Sequence, residues 1–346
     1  MDRTALIYHE DYLRHFAGDF HPERRERLIA TMNFLKHMRI IEKIEIIKPE
    51  PATEEDLLRV HTWEHVEYIK SLCESGGGTI DMDTVAGPDT YEIAKLSAGG
   101  VISAAKVVIE GKKDNSFALV RPPGHHATRD SAMGFCYFNN VAIMIRNIQK
   151  NFNLKRVFLL DWDAHAANGT MDIFYNDSSV LNVSIHQDPR NFYPGTGFIE
   201  QIGSGKGKGY TANIPVSAGA GDSEYLYIID KFIMPLARSF KPEMIVISAG
   251  QDSHRDDTIS GLCLTERGYY KMTRLLKEIS GDLCKNRIVV ELEGGYNLGA
   301  LSRSNYVILK ALLGDEQKIE IEGKVNNSTE DIVNELIEKF RNYHPL

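Results

Sequence analysis

Short apolar runs recur along the chain at residues 5–8, 117–120, 157–160, 180–185, 244–247 and 288–292. They are almost free of the polar alternation that a half-exposed strand shows, so each is expected to be a strand covered on both faces. Between them the apolar positions shift to helical spacing. Residues 24–38 put Leu28, Met32 and Leu35 on one stripe, and residues 222–240 carry a similar stripe. Strands alternating with amphipathic helices imply βαβ units, and hence an α/β fold with a mostly parallel sheet between helical layers. No repeat or change of composition divides the sequence, so residues 1–346 are read as a single domain. Near the end, Ser328-Thr329-Glu330-Asp331 resembles a capping box, followed by Ile332, Leu336 and Phe340 on one helical face. A helical tail over about residues 326–346, packed on the body, is expected.

Composition narrows the classes of function. The content of hydrophobic residues, 42%, supports a large core. The net charge of −8 is spread along the chain as mixed charges, which disfavours a nucleic-acid partner or an anionic membrane surface. No apolar run approaches the roughly 20 residues of a membrane span and no leader pattern opens the chain, so a soluble cytoplasmic protein is expected. Cys73, Cys136, Cys263 and Cys284 form no CxxC pair and read as buried free thiols. The glycine-rich stretch 203–209 lacks the spacing of a phosphate-binding loop and reads as a flexible connection.

The chemistry gathers where the strands end. Leu159-Leu160-Asp161-Trp162-Asp163-Ala164-His165 puts a carboxylate and an imidazole two residues apart, on the same side of an extended chain. The strand at 117–120 leads to His125-His126, that at 244–247 to Asp252, and that at 288–292 to Tyr296. Ligands bind beyond the carboxyl ends of parallel strands, so these residues should share one pocket. Asp163, His165 and Asp252 supply two carboxylates and one imidazole, a ligand set that leaves room on a divalent ion for water and a substrate carbonyl. His125 and His126 follow a stiff Pro-Pro bend and suit proton transfer, with Asp161 and Asn168 as partners for their other ring nitrogens. Tyr296, in Glu293-Gly294-Gly295-Tyr296-Asn297, offers a hydroxyl to a developing oxyanion from a loop that its glycines make flexible.

In order, RPPGHHA, GFCYFNN, LDWDAH with NGT, SIH followed by YPGTG, SAGQDSH and LEGGYNL resemble the motifs of the zinc-dependent histone deacetylase family, most closely its class II branch with microbial deacetylase-like amidohydrolases. The resemblance implies the three-layer arginase/deacetylase-like fold with an eight-stranded sheet. It implies Zn2+, or Fe2+, on Asp163, His165 and Asp252, with His125, His126 and Tyr296 as catalytic groups and Asp161 and Asn168 behind the histidines. It implies tunnel walls at Gly134, Phe135 and Tyr193, and Arg27 on the route by which acetate leaves. It also implies K+ near Asp161, Asp163, His165 and Ser184, and a second K+ site around Phe174, Val180 and Tyr210. The substrate would be an acetylated lysine in a protein or a small acetylated amine.

Two departures stand out. Ala166-Ala167 replaces the His-Gly usual in the family; if that glycine has positive φ, Ala167 strains the turn by about 1 kcal/mol. Ile259 falls where polyamine-preferring relatives have a glutamate, which disfavours a polycationic substrate, although Asp81, Asp83, Asp256 and Asp257 could line an acidic rim. Three alternatives frame the reading: an acetylpolyamine or other small-molecule amidohydrolase, a weakly active acyl-lysine-binding module, and a two-manganese ureohydrolase, for which DWDAH and SAGQDSH lack carboxylates.

Overall fold

All six apolar runs form strands, and a computed structural model, which describes residues 4–18, 20–321 and 323–346, adds two at the margins of the same sheet. In chain order the strands are β1 (Thr4–Ile7), β2 (Glu45–Ile47), β3 (Gly78–Thr79), β4 (Val85–Ala86), β5 (Asn115–Ala118), β6 (Val157–Asp161), β7 (Val180–Gln187), β8 (Thr211–Val216), β9 (Met244–Ala249) and β10 (Ile288–Leu292). The helices are α1 (Glu26–His37), α2 (Glu54–Leu58), α3 (Trp63–Glu74), α4 (Thr90–Ile109), α5 (Asn140–Phe152), α6 (Asn168–Phe174), α7 (Asp222–Ile228), α8 (Met234–Phe240), α9 (Glu266–Cys284), α10 (Leu298–Leu313) and α11 (Asn327–Phe340).

Eight strands make one parallel sheet in the order β2-β1-β5-β10-β9-β6-β7-β8, flanked by helices, while β3 and β4 pair as a small antiparallel hairpin. The two strands that the apolar pattern does not mark, β2 and β8, are the two edges of the sheet. An edge needs less apolar cover: β2 is largely exposed, and β8 tolerates Pro215. Interior strands β5, β6, β9 and β10 have no exposed residue. Because β10, β9 and β6 are neighbours, three chemistry-bearing strand ends lie side by side at one edge of the core.

One row of this sheet is polar. Register pairs Asn213 with Ser184, Ser184 with Asp161, Asp161 with Ser248, and Ser248 with Glu291. Partners in parallel strands point to the same face, so five hydrophilic side chains cross the sheet together just below the carboxyl ends.

Three local expectations change. The stripe at 222–240 is not one regular helix, since a π turn over Ile229–Ile233 separates α7 from α8. Pro235, at the start of α8, has no amide hydrogen to give to the preceding turn, and the wider turn accommodates it. The tail helix starts earlier than Ser328, because Asn326 Oδ1 accepts the Thr329 amide at 2.8 Å and takes the cap. Its buried face is Val333, Leu336 and Phe340, with Ile332 half-buried beside it. The 203–209 stretch is tied down rather than loose: Ser204 N donates to Tyr175 O and Gly209 N to Ile202 O, both at 2.7 Å. Of the cysteines, Cys263 is exposed and the other three are buried, all four as free thiols. Among the described residues no helix is long and apolar enough to cross a membrane.

Candidate metal centre and active site

Asp163, His165 and Asp252 converge. His165 Nδ1 lies 2.9 Å from Asp163 Oδ1 and 3.0 Å from Asp252 Oδ2, and all three side chains are buried or nearly so. The backbone brings them there. Asp163 and His165 follow β6 and Asp252 follows β9, its paired neighbour, and Asp252 Oδ1 accepts the Ala164 amide at 2.9 Å. Asp163 Oδ2 accepts Gly294 N at 2.9 Å. A Cβ on Gly250 would stand 2.0 Å from Asp163 Oδ2, and one on Gly294 2.5 Å from it, so only glycine allows the main chain this close.

One imidazole cannot neutralise two carboxylates that share its single nitrogen. Burial, reinforced by the Asp163 charge, lifts the Asp252 carboxyl to about 7, and the carboxylates outweigh burial at His165 and lift it to about 9. The donor set is therefore an anionic, compact, buried cluster of three ligand atoms within 4.8 Å of one another. Two oxygens and a nitrogen suit zinc or ferrous iron.

The tandem histidines sit beside this cluster, their ring centroids 4.1 Å apart. His125 Nδ1 is 3.0 Å from Asp161 Oδ2 and its Nε2 is 3.9 Å from Asp163 Oδ1, whereas His126 Nδ1 is 2.6 Å from Asn168 Oδ1. Their surroundings drive them apart. Burial opposes charge on both, but at His125 the carboxylates of Asp163, Asp161 and Glu293 win and raise its pKa well above the ordinary value. At His126 burial is reinforced by the positive neighbours His125 and His165, which hold it well below. Near neutrality one imidazole is charged and the other is free to accept a proton.

Gly134 and Phe135, both at positive φ, and Tyr193 stand over this pair: the Tyr193 ring is 5.0 Å from His126, and the Phe135 ring 5.9 Å from Tyr296. Burial and the nearby Asp252 charge raise the Tyr296 hydroxyl well above its ordinary value, so it remains a donor. Its loop is not free to swing. Asp257 Oδ2 accepts the amides of Tyr296 at 2.6 Å and Asn297 at 2.9 Å, and Oδ1 accepts that of Ile259 at 3.2 Å. Asp257 is thus buried and engaged rather than on an acidic rim, and Asp256 is paired with Arg303 at 3.0 Å. Asp81 Oδ1 caps its own turn through the amides of Asp83 and Thr84, while His21 Nε2 is 2.9 Å from Asp83 O. Arg27 has no exposed surface. It donates to Gly295 O and Glu293 O, pairs with Glu23 at 2.9 Å and places its guanidinium 5.1 Å from the Tyr296 ring centroid. Ser184 faces Asp161 across the strand pair and bonds His186 Nδ1 at 2.7 Å.

Ala167 has φ −74° and ψ 63°, so the strain expected from a lost glycine is absent. Ala166 in turn holds Gly197 to glycine, since a Cβ at 197 would come within 2.5 Å of the Ala166 Cβ.

Several members of the site lie outside the residues that the sequence pattern singles out. Phe192 stacks on His165 at 4.6 Å and 13°, and the adjoining Tyr193 was the available clue. Glu293, in the same motif as Tyr296, accepts the amides of Gly124 at 2.8 Å and His125 at 3.3 Å.

The chain resembles known proteins over most of its length. A family model described as histone deacetylase domain matches residues 21–312. The chain is 46% identical over 314 residues to a probable deacetylase of Archaeoglobus fulgidus, covering 90% of this chain and 86% of that one. It is 36% identical over 329 residues to a histone deacetylase-like amidohydrolase of Pseudomonas aeruginosa, covering 90% and 86%. A crystal structure of the HDA15 HD domain superposes with a TM-score of 0.92 at 35% identity, over 99% of this chain and 96% of that one.

Proposed function

Because the chain belongs to the histone deacetylase family and is a hydrolase acting on amides, we propose that it uses zinc to remove acetyl groups from lysine side chains or similar primary amines. The observation that carries this reading is the convergence of His165 Nδ1 on two buried carboxylates, a surplus of negative charge that a divalent cation would balance. Asp163, His165 and Asp252 would hold it, and once bound it polarises the amide carbonyl and acidifies an attacking water. Ferrous iron suits the same donors.

The remaining steps belong to the chain's own groups. Neutral His126, steadied through Nδ1 by Asn168, accepts the proton of the attacking water. Tyr296 donates its hydroxyl to the oxygen that gains charge, and an imidazolium of the pair returns a proton to the amine as it departs. His125, held through Nδ1 by Asp161 at 3.0 Å, stands beside His126 and the Asp163 carboxylate. Gly134, Phe135 and Tyr193 wall a narrow apolar entry suited to a four-carbon stem. Ile259, without charge at the Asp257 turn, favours a single ammonium over a polyamine. Arg27, beneath the Tyr296 ring, is positioned to attract acetate. A K+ ion held by Asp161, Asp163, His165 and Ser184 would brace the β6–β7 ends.

The test loads the chain with zinc or iron and measures metal content and turnover on acetyl-lysine peptides and acetylated polyamines. Tyr296→Phe is expected to lower kcat by about 10²–10³-fold with metal content unchanged, the usual cost of one oxyanion donor. Wild-type turnover in that variant, or metal-loaded wild-type protein inert on the whole panel, would refute the mechanism.

A further inference from the structure

Within the polar row of the sheet, Glu291 has no part in the chemistry above. It has no exposed surface and sits between Ser248 of β9 and Ala118 of β5. A charged carboxylate there would need full compensation, since an isolated buried charge costs several kcal/mol. Oε1 accepts Ser248 Oγ at 2.9 Å, but Oε2 has no donor. Two residues on, Glu293 presents the same arrangement: Oε2 accepts the amides of Gly124 and His125, and Oε1 has no donor. Residues i and i+2 of an extended segment share a face, and Glu293 N carries the β10–β9 ladder one step further to Ala249 O at 3.1 Å, so the two buried carboxyls, each with a bare oxygen, face the same side of the sheet. Two bare, buried oxygens in that position satisfy one another only if one carries a hydrogen. Burial and the Glu293 charge hold Glu291 well above the usual carboxyl range, whereas Glu293, raised by burial and lowered by His125, comes to about 7. The hydrogen therefore belongs on Glu291.

We propose that Glu291 is a positioning residue: its neutral carboxyl donates through Oε2 to Glu293 Oε1 and holds the Glu293 carboxylate against the amides of Gly124 and His125. The inference rests on the amide-hydrolase reading, because the backbone fixed in this way is the one from which His125 and His126 project. The line of contacts runs from Ser248 on β9, through Glu291 on β10 and Glu293 just beyond its end, to the turn that carries both histidines. Remove the donor, and Glu293 keeps a bare oxygen in the core and loses its fixed orientation.

The experiment uses the metal-loaded full chain. An infrared difference spectrum of wild type against Glu291→Gln, taken without substrate, is expected to show a protonated-carboxyl C=O band that the variant lacks. The amide that replaces the carboxyl in this variant still offers a donor to Glu293, so kcat is expected to stay within about threefold of wild type, whereas Glu291→Leu is expected to lower kcat about tenfold or more with KM within about twofold. Wild-type kcat in Glu291→Leu, no carboxyl band, or a Gln variant as impaired as the Leu variant would each overturn the proposal. If the Leu variant does not fold, the band and the Gln rate decide. The band is read on the resting protein, so it stands or falls separately from the deacetylase reading.

Discussion

Asp252 and Glu23 are both carboxylates with no solvent contact, yet their surroundings drive them in opposite directions. Glu23 meets two guanidinium groups, Arg121 Nε at 2.7 Å and Arg27 Nη1 at 2.9 Å, and these outweigh burial to hold it at about 2. Asp252 meets another carboxylate across one imidazole, and burial with that like charge raises it to about 7. The first cluster carries its own counter-charge. The second has ligand atoms in place and too little positive charge among them. A buried ionic group that its own chain leaves short of positive charge thus marks a cation site more clearly than one whose counter-charges are built in.

Substituting one carboxylate in each cluster separates the two kinds. Asp252→Asn keeps the shape but removes an anionic donor. Metal affinity and turnover should both drop by at least about 100-fold, the upper end of what even an outer partner of a metal ligand costs; metal retained at wild-type affinity would break the contrast. Arg121→Met should leave metal binding intact and destabilise the fold by about 3 kcal/mol in denaturant titration, because Glu23 keeps only Arg27 and the buried carbonyls of Tyr12, His15 and Glu23 lose their donor. A smaller effect follows with pH. Glu23 is lowered from 4.5 to about 2, so its contribution is complete above about 4.5 and is lost as pH falls towards about 2. Comparing Glu23→Gln with wild type, the stability gap should therefore shrink across that interval. A gap independent of pH would remove the electrostatic account of this cluster.

The middle of the sheet was far more legible than its margins. Residues 157–160 and 244–247 are apolar because helices cover both faces, whereas β2 and β8 lie at the edges and need no such run. The metal-binding candidates were readable because Asp163 and His165 are two residues apart on one strand end, and the pairing of β6 with β9 brings Asp252 to them. What the motifs did not carry were contacts set by folding. Asp257 grips the Tyr296 loop from a different turn, Phe192 stacks on His165, and Glu293 reaches the histidine backbone. The strain expected at Ala167 depended on a backbone angle that residue identity does not reveal, and the actual φ of −74° is ordinary. In the same way Asn326, rather than Ser328, caps α11 because its side chain reaches the Thr329 amide first.

The bare main chain of Gly250 and Gly294 against Asp163 sets a limit on redesign. With 2.0 Å and 2.5 Å to a would-be methyl, neither position can be varied to retune the ion without evicting the carboxylate it supports. Engineering toward another metal has more room on the side of His165, where the rings of Phe192 and Tyr193, side chains rather than backbone, are the neighbours.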